Sequence, residues 1–389
     1  MIPKQIVILG STGSIGRSTL DVVRRHPGRF VVSALAAHHN ATMLVEQYHE
    51  FRPSTLCIVD SSQVPILKHR LAGEQVRILE GEEGLIGLTR LPETEIVVNA
   101  VVGAAGLRVS LETLRQRKNL ALANKESLVA GGPLFPSLIK ESGAHVLPID
   151  SEHSAIWQAL SAGRVNEIRS LILTASGGPF RQLPIEQFAQ ITVEQALAHP
   201  TWKMGPKITI DSSTLVNKGL EVIEAVTLFG VSVDKVNVLV HPQSVIHSMV
   251  EFVDSSVMAQ LSQPDMRLPI SYALFWPERV QSEFGQVNWR MLKSLTFELA
   301  DYEKFPLLRL AYEVARTGGT APAVYNAANE IAVGAFLERR IRFTEITDIV
   351  TETVGQVSVL QEPSLEDILR VDEQARDMAR RQVENTACC

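Results

Sequence analysis

The sequence predicts an α/β chain in three parts: a helix-covered parallel sheet over 1–150, an α+β domain over 151–285, and a four-helix domain over 306–389. A linker at 286–305 joins the last two. Three observations predict this. The first part alternates short β-branched runs with helical patterns, the signature of βαβ units. The second groups its strands unevenly, which favours a partly antiparallel sheet. The third shows only helical period. At 389 residues the chain exceeds what one hydrophobic core usually organises.

Taken in order, strands are predicted at 6–9, 31–35, 56–59, 96–98, 120–123 and 145–149, with a helix from about Ser14 after the first. In parallel sheets ligands gather at the carboxyl ends of strands. The residues found there are polar: Gly10-Ser11-Thr12, Asn40, Asn99, Asn124-Lys125-Glu126 and Asp150-Ser151-Glu152. The middle part predicts strands at 170–173, 207–210, 236–240, 248–252 and 257–261. Helices are predicted at 306–316, 321–338, 343–357 and 365–384, the last opened by Ser364 with Glu366 and Asp367 in its first turn.

Composition narrows the function. Hydrophobic residues at 45% and charged residues at 21% are those of an ordinary globular chain, and a net charge of −6 gives no electrostatic reason for a nucleic-acid partner. No apolar run is long enough to span a bilayer, and the first residues lack the pattern of a secretory signal, so a cytoplasmic protein is expected. The cysteines, Cys57, Cys388 and Cys389, form neither a disulfide framework nor a zinc spacing.

Gly10-Ser-Thr-Gly13-Ser-Ile-Gly16 follows a strand and opens a helix, the setting of a Rossmann-like dinucleotide turn. Its spacing is GxxGxxG rather than GxGxxG, and a tight structural turn is the competing reading. At the end of the second strand, where an NAD site carries an acid, the chain reads Ala36-Ala37-His38-His39-Asn40. That favours NADP, with His38, His39 and Asn40 as donors; the alternative is that both histidines are solvated loop residues, which for His38 is as good a reading as contact.

Asp150 and Glu152 flank Ser151 at a strand end, and side chains two apart in extended backbone point the same way. Two carboxylates on one side repel unless a proton or cation lies between them, and oxygen-only ligands favour Mg²⁺ or Mn²⁺. A helix cap by Asp150 or Ser151 accounts for one of these residues but not both acids. Ser176-Gly177-Gly178 after a strand offers donors to a phosphate, or forms a plain turn. Asp211 to Glu221 packs hydroxyls, Asn217, Lys218 and an acid into one stretch; Asn217 and Glu221 share a helix face. That face suits an anionic substrate and a third metal ligand, or a solvated Lys218–Glu221 pair. The loop around His199, Trp202 and Gly205 reads as a lid over substrate, or as packing of Trp202 on its own domain.

In order along the chain, GSTGSIG at 10–16, NKES at 124–127, DSEH at 150–153, SGGPF at 176–180, HPTWKMG at 199–205, DSSTLVNKGLE at 211–221, HPQSVIHSMVEF at 241–252 and NAANE at 326–330 resemble the 1-deoxy-D-xylulose 5-phosphate reductoisomerase family. The resemblance implies an N-terminal nucleotide-binding domain, a central catalytic domain that forms a homodimer contact, and a helical C-terminal domain. It implies that Thr12, Gly13, Ser14, Ile15, Asn124, Glu126 and Gly205 contact NADPH, with the 38–40 loop near the adenosine phosphate. Asp150, Glu152 and Glu221 are implied to bind Mg²⁺ or Mn²⁺. Lys125, Ser151, Ser176, His199, Ser212, Asn217 and Lys218 are implied to hold a small phosphorylated sugar, its phosphate falling to Ser176, Ser212, Asn217 and Lys218. Many relatives carry Gly-Lys-Asn or Gly-Ser-Asn where this chain has His38-His39-Asn40. The implied reaction is a metal-assisted rearrangement of the sugar skeleton, with Lys125 assisting at its oxygens, followed by hydride transfer from NADPH. The rivals are a metal-free NADP dehydrogenase, which gives the three acids no task, and a non-catalytic nucleotide sensor.

Overall fold

The computed structural model describes residues 2–103, 105–202 and 204–387, so Cys388 and Cys389 lie outside the described residues. The chain divides into two compact units. The first takes in the chain to residue 127, then 135–154 and 265–284. The second takes in 128–134, 155–264 and 285 onward.

The first unit carries seven strands: β1 (Lys4–Leu9), β2 (Phe30–Ala37), β3 (Thr55–Ile58), β4 (Arg77–Glu80), β5 (Ile96–Asn99), β6 (Asn119–Leu122) and β7 (Val146–Pro148). They form one sheet in the order β4-β3-β2-β1-β5-β6-β7, with every pair parallel. The order reverses between β1 and β5, the crevice where such sheets bind ligands. Ile6 to Leu9 of β1 are fully buried, as central parallel strands covered on both faces must be. β4 escaped the sequence reading because an edge strand needs no apolar run; Arg77 and Glu80 are exposed.

Residues 265–284, expected in the middle domain, belong to this first unit. Arg267 pairs with Asp21 at 2.8 Å, and the Lys4 ammonium donates to the carbonyls of Leu274 at 3.0 Å and Trp276 at 2.9 Å. Phe275 packs edge-on against Phe30, with ring centres 4.8 Å apart.

The second unit holds β8 (Ile168–Ala175), β9 (Val236–Val240), β10 (Ile246–Phe252), β11 (Val257–Leu261) and β12 (Glu298–Leu299), in the order β11-β10-β8-β9-β12. Only β8 and β9 run parallel, so the expected mixed sheet forms. The strand predicted at 207–210 is instead part of the helix Pro206–Ser213. Its polar-apolar alternation imitates a strand, but Gly205 at the N-cap and Pro206 at the first position start a helix. Within the expected linker, Glu298–Leu299 adds an edge strand to β9.

The four helices of the C-terminal stretch, Pro306–Thr317, Ala321–Leu337, Phe343–Gln356 and Leu365–Ala387, lie where their period places them. Their main core is shared with the sheet: Leu307, Tyr325, Phe336 and Phe343 join Ile168, Leu171 and Leu173 in one cluster, while Val324, Ala327, Val357, Val371 and Ala375 form a smaller one. Among the described residues, no helix is long and apolar enough to cross a membrane.

Candidate active site

In the first unit the glycines of the opening turn do different work. Gly10 has φ +80°, and a Cβ there would sit 2.5 Å from the carbonyl oxygen of Ala100. A Cβ on Gly16 would sit 2.6 Å from the carbonyl carbon of Ser11. Both glycines therefore permit close backbone packing. Gly13, the N-cap of the helix Ser14–Arg25, is exposed, and neither a side-chain cap nor an acid in the first turn competes for the free N–H groups. Thr12, Gly13, Ser14 and Ile15 thus surround a helix start ready for an anion. The turn is pinned from behind by Gln47, which accepts from the Ser11 hydroxyl at 2.7 Å and donates to its carbonyl at 2.9 Å. No local signal marked Gln47.

His38 and His39 are exposed at the end of β2, their rings edge-to-face with centres 5.7 Å apart. Asn40 caps the helix Ala41–Phe51 by accepting from the Met43 amide at 3.0 Å. The sequence placed no carboxylate here; the fold brings Asp60 from the end of β3, whose amide donates to the His38 carbonyl at 2.8 Å. Hydrogen bonds from Ser62 hold the Asp60 carboxyl below its usual range.

Asn124 starts the helix Lys125–Gly131 by accepting from the Ser127 amide at 2.9 Å. Its amide nitrogen donates to the carbonyls of Val101 at 2.7 Å and Gly103 at 2.8 Å. The contacts made by Asn124 are therefore structural, tying Val101 and Gly103 after β5 to the start of the helix Lys125–Gly131. Glu126 lies 3.3 Å from the same amide nitrogen.

Lys125 and Asp150 form a buried ion pair. Asp150 is the cap of the helix Ser151–Ala159, accepting from the Glu152 amide at 3.3 Å through its side chain, while its carbonyl accepts from Ser154 at 2.8 Å. This corrects the extended geometry assumed for 150–152: Ser151 and Glu152 stand in the first helical turn, where carboxylates are favoured by the free N–H groups. The Ser151 hydroxyl donates to Glu152 at 2.5 Å, and His153 Nδ1 lies 3.5 Å from Asp150. Burial pushes the Asp150 carboxyl up, but the Lys125 ammonium and His153 outweigh it and hold it well below the usual range.

In the second unit Gly177 and Gly178 follow β8 with φ of +84° and +66°, and a Cβ on Gly178 would lie 2.7 Å from the Ser212 carbonyl oxygen. The Ser176 turn is thereby pressed against the end of the helix Pro206–Ser213. Backbone amides of Thr201 and Trp202 donate to His199 Nδ1 at 3.2 and 2.9 Å, which puts the proton of the neutral ring on Nε2. That Nε2–H faces the Ser176 hydroxyl at 3.0 Å. Burial lowers the His199 pKa and keeps the ring neutral. Trp202 lies with its ring centre 6.1 Å from that of His247. Gly205 is exposed, and its carbonyl accepts from the Thr209 hydroxyl at 2.8 Å.

The expected single helix through 211–221 is two. The first ends at Ser213, and Leu215 with φ +57° precedes the helix Val216–Phe229. Asn217 and Lys218 both donate to the carboxylate of Glu221, which is 1% exposed. Asp211, assigned no role from sequence, is as deeply buried, paired with Lys207 at 2.8 Å and accepting from Asn329 at 2.8 Å.

A doubly wound sheet with an anion-ready helix start, and a second unit rich in hydroxyls, lysines and buried acids, define an NADP-dependent oxidoreductase. Models of the 1-deoxy-D-xylulose 5-phosphate reductoisomerase match residues 6–132, its C-terminal domain 146–229, and a further DXP reductoisomerase C-terminal domain 261–378. The 1-deoxy-D-xylulose 5-phosphate reductoisomerase of Chlorobaculum tepidum is 51% identical over 97% of this chain and 99% of its own. The Zymomonas mobilis enzyme, solved in complex with NADPH, superposes with a TM-score of 0.93 at 43% identity, covering 98% of this chain and 99% of that one. A reductoisomerase solved with NADPH, fosmidomycin and magnesium gives 0.93 at 41% identity, covering 98% of each. The chain belongs to the 1-deoxy-D-xylulose 5-phosphate reductoisomerase family.

Proposed function

We propose a division of labour among this chain's residues in the family's reaction, the NADPH- and divalent-metal-dependent conversion of 1-deoxy-D-xylulose 5-phosphate to 2-C-methyl-D-erythritol 4-phosphate in non-mevalonate isoprenoid biosynthesis. The observation that carries it is the buried Lys125–Asp150 pair beside Ser151 and Glu152 at one helix start.

The helix start at Thr12 to Ile15 takes the pyrophosphate of NADPH, as its uncapped amides suit an anion. His38, His39 and Asn40 face the 2′-phosphate, and Asn124, Glu126 and Gly205 border the nicotinamide end. Bound there, NADPH supplies the hydride. Asp150, Glu152 and Glu221 offer carboxylate oxygens only, a donor set that fits Mg²⁺ or Mn²⁺. Such a cation polarises the substrate's ketone and hydroxyl oxygens.

The remaining steps belong to the protein's own groups. Ser176, Ser212, Asn217 and Lys218 hold the phosphate of the sugar; the approach of Gly178 to Ser212 supports this grouping. Ser151 and His199 orient the carbon chain, His199 as a neutral Nε2–H donor. Lys125 is at the site because Asp150 holds it there, and its ammonium stabilises charge and moves protons at the substrate oxygens. In this reading the loop around His199, Trp202 and Gly205 serves as the lid that excludes water.

We also infer a homodimer, since Trp289, Met291 and Leu299, the last in the edge strand β12, are 69%, 74% and 85% exposed. A cytoplasmic location follows from multiply charged substrates that do not cross bilayers unaided. The test is incubation with 1-deoxy-D-xylulose 5-phosphate, NADPH and Mn²⁺, followed at the nicotinamide band with identification of the product. Full turnover after EDTA treatment without added metal refutes the assignment of the three acids. Light scattering of the purified protein tests the dimer.

A further inference from the structure

The NAANE segment at 326–330 lies on the helix Ala321–Leu337, where Asn326 and Asn329 are fully buried. Two fully buried amides on a mostly apolar helix are costly unless they hold something. The Asn329 amide donates to the Asp211 carboxylate at 2.8 Å. Asp211 directly precedes Ser212 and is also held by Lys207 from one turn earlier in its helix.

The same helix braces the next one. A Cβ on Gly219 would lie 3.0 Å from the Tyr325 hydroxyl and 2.7 Å from the Ala311 Cβ, so the helix Val216–Phe229 sits as close to Tyr325 as a glycine allows. Tyr325 is itself fixed by donating to the Leu307 carbonyl at 3.1 Å. Thus Asn329 holds the helix that carries Ser212, and Tyr325 holds the helix that carries Asn217 and Lys218. Between those two helices the chain turns through Leu215, at φ +57°, a conformation that a leucine keeps only when its surroundings impose it. The bracing helix is anchored in turn. Asn326 donates to Glu330 at 3.0 Å, Arg376 of the last helix donates to Glu330 at 2.7 Å, and Asp372 accepts from Arg376 at 2.6 Å.

We propose that Asn329 and Tyr325 are positioning residues that set the angle between the two phosphate-binding helices, with Asn329 acting through Asp211. This rests on the reading that Ser212, Asn217 and Lys218 take the substrate phosphate. In that reading NADPH is held mainly at Thr12 to Ile15 and at 38–40, and meets the braced helices only at Gly205, the N-cap of one of them, so the two substrates should respond differently.

The test is steady-state kinetics of the purified full-length enzyme with Mn²⁺. Asn329→Asp, which sets a carboxylate against Asp211, raises the KM for 1-deoxy-D-xylulose 5-phosphate about tenfold, the scale of one lost buried hydrogen bond. The KM for NADPH stays within about twofold. The double variant Asp211→Asn with Asn329→Asp restores a donor facing an acceptor and recovers most of the loss. If Asn329→Asp does not fold, Asn329→Ala is read by the same split. Equal rises in both KM values, a fall in kcat alone, or no recovery in the double variant overturns the proposal. Ser212→Ala separates it from its premise. An unchanged sugar-phosphate KM in that variant refutes the phosphate reading itself, whereas a raised KM there with none in the Asn329 variant refutes only the bracing.

Discussion

Replacing Gly16 by alanine tests whether the opening turn is built for close backbone approach. The new methyl carbon would sit 2.6 Å from the Ser11 carbonyl carbon, against 3.4–4 Å for ordinary contact. About 1 Å must be found, and the opposing atoms are backbone, so no rotamer change relieves it. Overpacking of this kind costs about 1–3 kcal/mol, or roughly 2–12 °C in melting temperature for a unit of this size. If the helix Ser14–Arg25 moves away to make room, its first amides leave the pyrophosphate. One lost hydrogen bond to a charged group is worth about 1.5–3 kcal/mol, so NADPH binding weakens about 10- to 100-fold. Gly13→Ala is the informative contrast. Its φ of −75° suits alanine, and its nearest neighbour, the Gly10 carbonyl oxygen, lies 3.3 Å away. That variant keeps its melting temperature and loses NADPH affinity, because the methyl enters the exposed helix start where the phosphate binds. Calorimetry and fluorescence titration with NADPH read both quantities. Wild-type melting and affinity in Gly16→Ala refute the close-approach argument; unchanged affinity in Gly13→Ala removes this helix start from the cofactor site.

Glu221→Gln abolishes metal-dependent turnover while the NADPH dissociation constant changes less than about twofold, measured by the same titration; retained turnover takes Glu221 out of the metal site. His39→Ala weakens NADPH more than NADH by up to about fivefold, the worth of one exposed contact to a charged group, and equal effects on the two cofactors mean that His39 does not read the 2′-phosphate. The depressed pKa of Asp150 contributes stability that is full above the ordinary carboxylate value and is lost as pH falls through the folded value. The melting-temperature gap between wild type and Asp150→Asn should therefore be widest near neutrality and close in acid. A gap that does not change with pH refutes the pairing as its cause.

What could be read from sequence was what depends on neighbours along the chain. The buried strands of the parallel sheet announced themselves as β-branched runs ending in polar residues, because a strand covered on both faces has nowhere to put a charge. β4 lies half-exposed at the edge and is free of that constraint. The helix Pro206–Ser213 was misread because Lys-Ile-Thr-Ile alternates like a strand; Gly205 and Pro206 carried the contrary signal and were given to the lid. Asp150 and Glu152 read as an extended pair, whereas the preference of carboxylates for a helix start gives each a separate place.

The residues that sequence reasoning left out share a different property. Gln47 meets Ser11 across 36 residues and Asn329 meets Asp211 across 118, so neither has a local pattern to betray its partner. Each is a buried amide on a helix behind a segment assigned to ligand binding, where it partners a polar group of that segment. A helix such as Ala321–Leu337, buried almost all round, excludes polar residues unless they have an obligatory partner. In the sequence Asn326 and Asn329 stand only within the NAANE motif, with no role of their own. Only the fold, by bringing Asp211 to Asn329 and Gly219 to Tyr325, gives that helix a mechanical role.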